Sequence, residues 1–156
     1  MILYEDSNQK KGYHKTKNDY WRRNGIIVDR SHRLFVGDYM LSLDGNVSVD
    51  TKRNLTELAT NMFSDKIRFE KECIRAKNRG IKLIFLIEES FDKEKLMKWK
   101  PKQKIDGKRF LNVAGWQIYN EMKRYSKLFG VKFRFCHKLA TGKMVLELLK
   151  SEKAKK

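Results

Sequence analysis

The sequence predicts a single α/β domain built on a mixed sheet, and three observations predict it. Short apolar runs of strand-like composition alternate with amphipathic stretches of helical spacing. Glycines follow three of the helical stretches where a left-handed cap would close them: Gly25, Gly80 and Gly130. The chain is 156 residues long, 40% hydrophobic and contains one proline, which is enough for one buried core and short for two.

In chain order, Ile2 to Glu5 reads as a strand and Tyr13 to Arg23 as a helix closed by Gly25. Ile26 to Asp29, Leu34 to Leu41 and Val47 to Lys52 read as strands. Leu55 to Phe63 and Asp65 to Arg79 follow as helices, the second closed by Gly80. Lys82 to Glu88 is a strongly apolar strand. Phe91 to Gly115 contains Pro101, several lysines and little periodicity, so a long connection is expected there. Trp116 to Phe129 is a helix, Val131 to Cys136 a strand, and a last helix starts at Gly142. The domain is expected to span residues 1–149, with 150–156 as a basic tail that frays.

Thirty-six Lys and Arg against nineteen Asp and Glu give a formal net charge of +17, which favours a polyanionic partner. A membrane partner is disfavoured: the longest apolar run, Ile81 to Ile87, is interrupted by Lys82 and falls far short of the ~20 residues of a spanning helix. The N-terminal residues carry no secretion signal, so an intracellular protein is expected. Cys73 and Cys136 lack zinc or disulfide spacing, and both are expected reduced and buried.

The chemistry concentrates in Leu34 to Lys52, two strands joined through Leu43-Asp44-Gly45-Asn46. Alternation along the second strand puts Ser48, Asp50 and Lys52 on one face and Val47, Val49 and Thr51 on the other. A three-residue loop, Asp44 to Asn46, would pair Asp38 with Lys52 and bring Asp38, Asp50 and Lys52 to one face. A two-residue turn would put Asp38 on the wrong face unless a bulge near Gly37 restores the register. Two carboxylates on neighbouring strands suit a hard cation such as Mg2+, and Lys52 could orient water or steady charge on a phosphate. The plain alternative is an exposed Asp-Lys pair on the polar face of a strand.

Gly37-Asp38-Tyr39, Val49-Asp50-Thr51-Lys52, a following helix with Arg68-Phe69, and Gly80 to Glu88 together resemble the XPF-type nuclease domain. That domain belongs to the PD-(D/E)XK, restriction-endonuclease-like superfamily. The resemblance covers most of the chain. It implies a restriction-endonuclease-like mixed central sheet flanked by helices, and a Mg2+- or Mn2+-dependent endonuclease acting on DNA. Flap, fork or junction DNA is the substrate type it suggests. Asp38, Asp50 and Lys52 occupy the positions of the family's Gly-Asp acid and of the acid and lysine in its Glu-Arg-Lys triplet. The resemblance makes Asp38 and Asp50, with Thr51, the metal contacts.

It further places Arg68 near an active-site arginine, Glu57 one position past the acid that follows the lysine, and Asp6 in the opening acidic motif. Departures accompany these matches. Thr51 replaces the triplet's arginine, Thr56 stands where the late acid belongs, and Asp6 is followed by Ser7-Asn8-Gln9 instead of Thr-Arg-Glu. The family's tandem helix-hairpin-helix module has no room in this chain. A homodimer, or a separate protein that supplies specificity, is left open.

Arg68, Lys71, Arg75 and Arg79 form one stripe of the helix from Asp65, suited to DNA phosphates or simply to solvent. Glu88 and Glu89 could join the metal site from a neighbouring strand, although such residues more often mark a strand's exit to water. Trp99 is the best candidate for base stacking, with packing as its plainer role. Two other readings stand beside the nuclease: a non-catalytic nucleic-acid-binding module that keeps the fold, and a protein whose basic surface docks on an acidic partner.

Overall fold

A computed structural model describes residues 1–9, 14–101, 104–105, 109–110 and 112–154. The elements are β1 (Ile2–Glu5), α1 (Lys15–Arg23), β2 (Ile27–Asp29), β3 (Tyr39–Met40), β4 (Val47–Lys52), α2 (Leu55–Ala59) and α3 (Lys66–Asn78). After them come β5 (Lys82–Ile87), α4 (Lys93–Lys98), β6 (Lys104–Ile105), β7 (Arg109–Phe110), α5 (Gly115–Phe129), β8 (Lys132–Phe135) and α6 (Thr141–Ala154). Six strands form one mixed sheet in the order β2-β1-β3-β4-β5-β8. The β1–β3 and β3–β4 pairs are antiparallel, while β1–β2, β4–β5 and β5–β8 are parallel. The expected α/β domain with a mixed central sheet is the fold observed.

Helices cover both faces, as parallel central strands require. On one face α1 and α6 pack Trp21, Val145 and Leu149 against Leu3, Tyr39, Val49, Ile84 and Leu86. The indole Nε1 of Trp21 donates to the Gly142 carbonyl at 2.9 Å and ties these two helices together. On the other face α2, α3 and α5 bring Leu58, Phe69, Cys73 and Tyr125 onto Phe85 and Phe133. Phe69 lies 4.8 Å from Phe85 by ring centroids, and Phe85 stacks on Phe133 at 5.3 Å. Both cysteines are buried and free, as expected. Gly25, Gly80 and Gly130 have φ of 70°, 70° and 71° and end their helices as the spacing predicts. No described helix is long and apolar enough to cross a membrane.

Four expectations need correction. The strand expected over Leu34 to Leu41 shrinks to Tyr39–Met40, because Gly37 takes φ 77° and breaks the extended run. The helix expected over Leu55 to Phe63 is α-helical only to Ala59, and a π turn spans Thr60–Ser64. Its wider ring closes through Asp65 N–H to the Thr60 carbonyl at 3.0 Å. The connection expected over Phe91 to Gly115 contains α4, capped by the Asp92 carboxylate accepting from Lys95 N–H at 2.7 Å. It also contains the antiparallel β6–β7 pair. At the C-terminal end, α6 continues to Ala154, past Leu149.

Gly37 matters because it delivers Asp38. A Cβ there would sit 2.1 Å from Ser48 Oγ, and that hydroxyl already donates to the Val36 carbonyl at 2.7 Å. Gly37→Ala is therefore expected to cost about 2–3 kcal/mol from the positive φ plus the overlap. A thermal melt should show a loss on the order of 5–10 °C. An unchanged melting temperature would mean that this backbone is not constrained as described.

Candidate active site

The β3–β4 register pairs Tyr39 with Val49, which sets Asp38 beside Asp50 and not beside Lys52 as the three-residue loop would have it. The turn lies earlier than that loop: Gly45 N–H donates to the Ser42 carbonyl at 3.1 Å, and the Ser42 hydroxyl donates to the Asp44 carboxylate. Glycine thus closes the turn as its last residue. The shift is two residues, so the parity survives. Asp38, Asp50 and Lys52 share the α3 side of the sheet, while Val49 faces α1 and α6.

Asp38 is fixed by β4 itself. Its Oδ2 accepts from Thr51 N–H at 2.8 Å and from the Thr51 hydroxyl at 3.1 Å. Lys52 Nζ lies 3.2 Å from Asp50 Oδ2 and 5.7 Å from the centre of the Phe85 ring. Asp50 and Lys52 are only 6% and 9% exposed, so this is not the solvated surface pair of the plain reading. These groups floor a cleft of about 1090 Å³ whose lining includes Arg33, Arg53, Arg68 and Arg75. The acids sit at the bottom and the cations at the rim.

Burial and the neighbouring Asp50 charge push the Asp38 carboxyl well above the usual carboxylate range, against the hydrogen bond from Thr51. Burial alone would pull the Lys52 ammonium down, but Asp50, Glu72 and Asp38 overrule it and hold its pKa above the ordinary value. Lys52 is therefore a fixed positive charge at neutral pH.

Glu72 is the site residue that the sequence reading missed. It is half-buried on α3, lines the cleft and faces Asp50. Burial first, and Asp50 second, raise its carboxyl pKa to about 7. A folded-state pKa above the unfolded one means that the folded protein keeps a proton the unfolded chain has released, so stability falls as pH rises from about 4.5 to about 7. In EDTA, the gap in melting temperature between Glu72→Gln and wild type should widen in favour of the variant across that window. A constant gap would remove Glu72 as the cause.

The remaining expected residues divide. Asp6, Thr51, Glu57, Arg68 and Arg75 line the same cleft as Asp38, Asp50 and Lys52, whereas Lys71 and Arg79 do not. Asp6 sits next to Asp38 through an N–H to carbonyl bond of 2.8 Å, but its carboxylate accepts from Leu34 N–H at 2.8 Å and staples the loop before Gly37. Glu57 Oε2 accepts from Arg53 Nε at 2.8 Å at the rim. Glu88 also lines this cleft, with its carboxylate paired to Lys17 Nζ at 3.1 Å. Glu89 accepts from Leu55 N–H at 2.9 Å and caps α2. Trp99 packs against the core.

The donor set suits a divalent cation. Like-charged carboxylates converge in a poorly solvated place, and one lysine only partly offsets them. Among the described residues no three His, Cys, Asp or Glu side chains form a ready-made cage. Mg2+ does not need one, since it binds through one or two carboxylates and keeps several waters. Thr51 spends its hydroxyl and N–H on Asp38, leaving its carbonyl as the oxygen it could offer.

A mixed six-stranded sheet with helices on both faces, and acids where β3 meets the antiparallel β4, makes an α/β fold similar to that of XPF. The chain is similar in structure to XPF from Aeropyrum pernix, with a TM-score of 0.69 and 13% identity over 97% of this chain and 65% of that one. For the same protein in complex with DNA the TM-score is 0.64, again at 13% identity, over 99% and 66% of the two chains. The chain thus spans about two thirds of the length of these structural relatives. No protein-family model and no curated protein matches the sequence.

Proposed function

We propose that the protein is a metal-dependent DNA endonuclease that hydrolyses phosphodiester bonds. One observation carries this reading: Asp38 and Asp50 converge beside a buried Lys52 at the bottom of a cation-rimmed cleft, in an XPF-type nuclease fold. A module that merely bound backbone phosphates would be weakened by buried acids at the centre of its surface, so the arrangement favours catalysis over binding alone.

Asp38, Asp50 and the Thr51 carbonyl would hold Mg2+ or Mn2+. Such an ion, when bound, polarises a phosphoryl oxygen and acidifies water. Lys52, protonated and aimed by Asp50, presents a fixed charge to the oxygens that gain charge during phosphoryl transfer. Thr51 keeps Asp38 from rotating away. Arg33, Arg68 and Arg75 offer guanidinium groups to flanking phosphates. DNA as the polyanion is supported by the Aeropyrum relative's complex with DNA and by the net charge of +17.

The test is incubation of the purified protein with supercoiled, linear, flap and four-way-junction DNA, in Mg2+, Mn2+ or EDTA. Cleavage with either metal and none in EDTA is expected. Binding in EDTA should weaken with salt at a log–log slope of about −0.9 per phosphate contacted. Salt-sensitive binding without cleavage under any metal would overturn the catalytic reading and leave a binding module.

A further inference from the structure

Phe35 stands out among the residues that line the cleft. It is 41% exposed, although both of its neighbours are buried: Leu34 at 7% and Val36 at 2%. Those neighbours are also pinned through the backbone. Leu34 N–H is held by the Asp6 carboxylate at 2.8 Å, and the Val36 carbonyl by the Ser48 hydroxyl at 2.7 Å. An aromatic ring is thus pushed outward from a loop anchored on either side, three positions before Asp38.

Two guanidiniums, from α3 and the residue that caps its C-terminus, gather on that ring. Arg79 lies 4.4 Å and Arg75 5.8 Å from its centroid. Burying Phe35 in the core would gain more apolar contact than leaving it at the mouth of a polar cleft. Exposed, rigid and ringed by cations, it has the features of a site where a nucleobase stacks while its phosphates meet arginine. A paired base has both faces taken by its neighbours in the duplex, so an unpaired one fits best.

We propose that Phe35, flanked by Arg75 and Arg79, is a stacking platform for an unpaired base of the DNA strand next to the phosphate that enters the Asp38–Asp50 cleft. The proposal rests on the nuclease reading for its DNA partner. It also replaces the role that composition suggested for Trp99, which the core occupies.

The experiment compares wild type, Phe35→Ala and Phe35→Trp in EDTA. The probes are a fully paired duplex and a forked duplex of equal length carrying 2-aminopurine as its first unpaired base. Wild type should bind the fork more tightly than the duplex and quench the probe. Phe35→Ala should lose about tenfold on the fork and the quenching, with duplex binding unchanged, because one stacked base is worth roughly that much. Phe35→Trp should retain both.

Equal fork and duplex binding by wild type, or Phe35→Ala behaving as wild type, overturns the proposal. So does loss of self-association in Phe35→Ala with DNA binding intact, which would assign the ring to a second copy of the chain. Cleavage in Mg2+ or Mn2+ is read separately. Quenching without any cleavage would sink the nuclease reading and spare the platform, whereas cleavage without quenching would do the reverse.

Discussion

Asp38→Asn is expected to cut metal-dependent cleavage by about a thousandfold while raising the melting temperature of the metal-free protein. The two effects have one origin. Burial and Asp50 hold the Asp38 carboxyl well above its ordinary range, so its ionised form costs the metal-free fold stability. Asparagine keeps an oxygen for Thr51 N–H and hydroxyl and offers its N–H groups toward Asp50. Relief of about 1 kcal/mol would raise the melting temperature by roughly 2–4 °C. Thermal melts in EDTA, paired with single-turnover cleavage in Mg2+, check both halves. A variant that melts lower and still cleaves would show Asp38 to be structural.

Lys52→Met is expected to have the largest effect on stability. It leaves Asp50 without its partner at 3.2 Å and removes the cation that offsets Asp38 and Glu72. Breaking a buried pair from one side costs about 3–5 kcal/mol, on the order of a 10 °C loss. Mg2+ or Mn2+ should then stabilise the variant more than the wild type, because the ion supplies charge that the lysine no longer does. Cleavage should still fall by about a hundredfold or more, since a second charge near the phosphate is gone. Equal metal-induced shifts in variant and wild type would contradict this account of the charge balance.

Much of this site was legible in the sequence because strand alternation is a local rule. Val47–Lys52 is a strand as expected, with Asp50 and Lys52 on one face and Val49 on the other. The register was read two residues off. The Asp44-Gly45 pair signals a turn but does not say which residue closes it, and Gly45 closes one begun at Ser42. Asp38 nevertheless reached the right face, because an even shift preserves parity.

Glu72 was hidden for a different reason. It lies between Arg68 and Arg75 on α3, in a run of cations, and only the packing of α3 against β5 turns it toward Asp50. The π turn at Thr60–Ser64, just before α3, is likewise not revealed by helical periodicity. Glu88, at the end of β5, lines the cleft, but its carboxylate is taken by Lys17 of α1, a partner far away in the chain that strand spacing does not reveal.

The most direct test of the central claim compares wild type with Asp50→Asn, purified in parallel, on end-labelled duplex and forked DNA in Mn2+. Asp50 binds Lys52, faces Glu72 and stands beside Asp38, so every element of the proposed centre passes through it. Wild type should cleave and the variant should not, with DNA binding in EDTA within about twofold of wild type, because the cations at the rim of the cleft are untouched. Equal cleavage by the two proteins would contradict the claim.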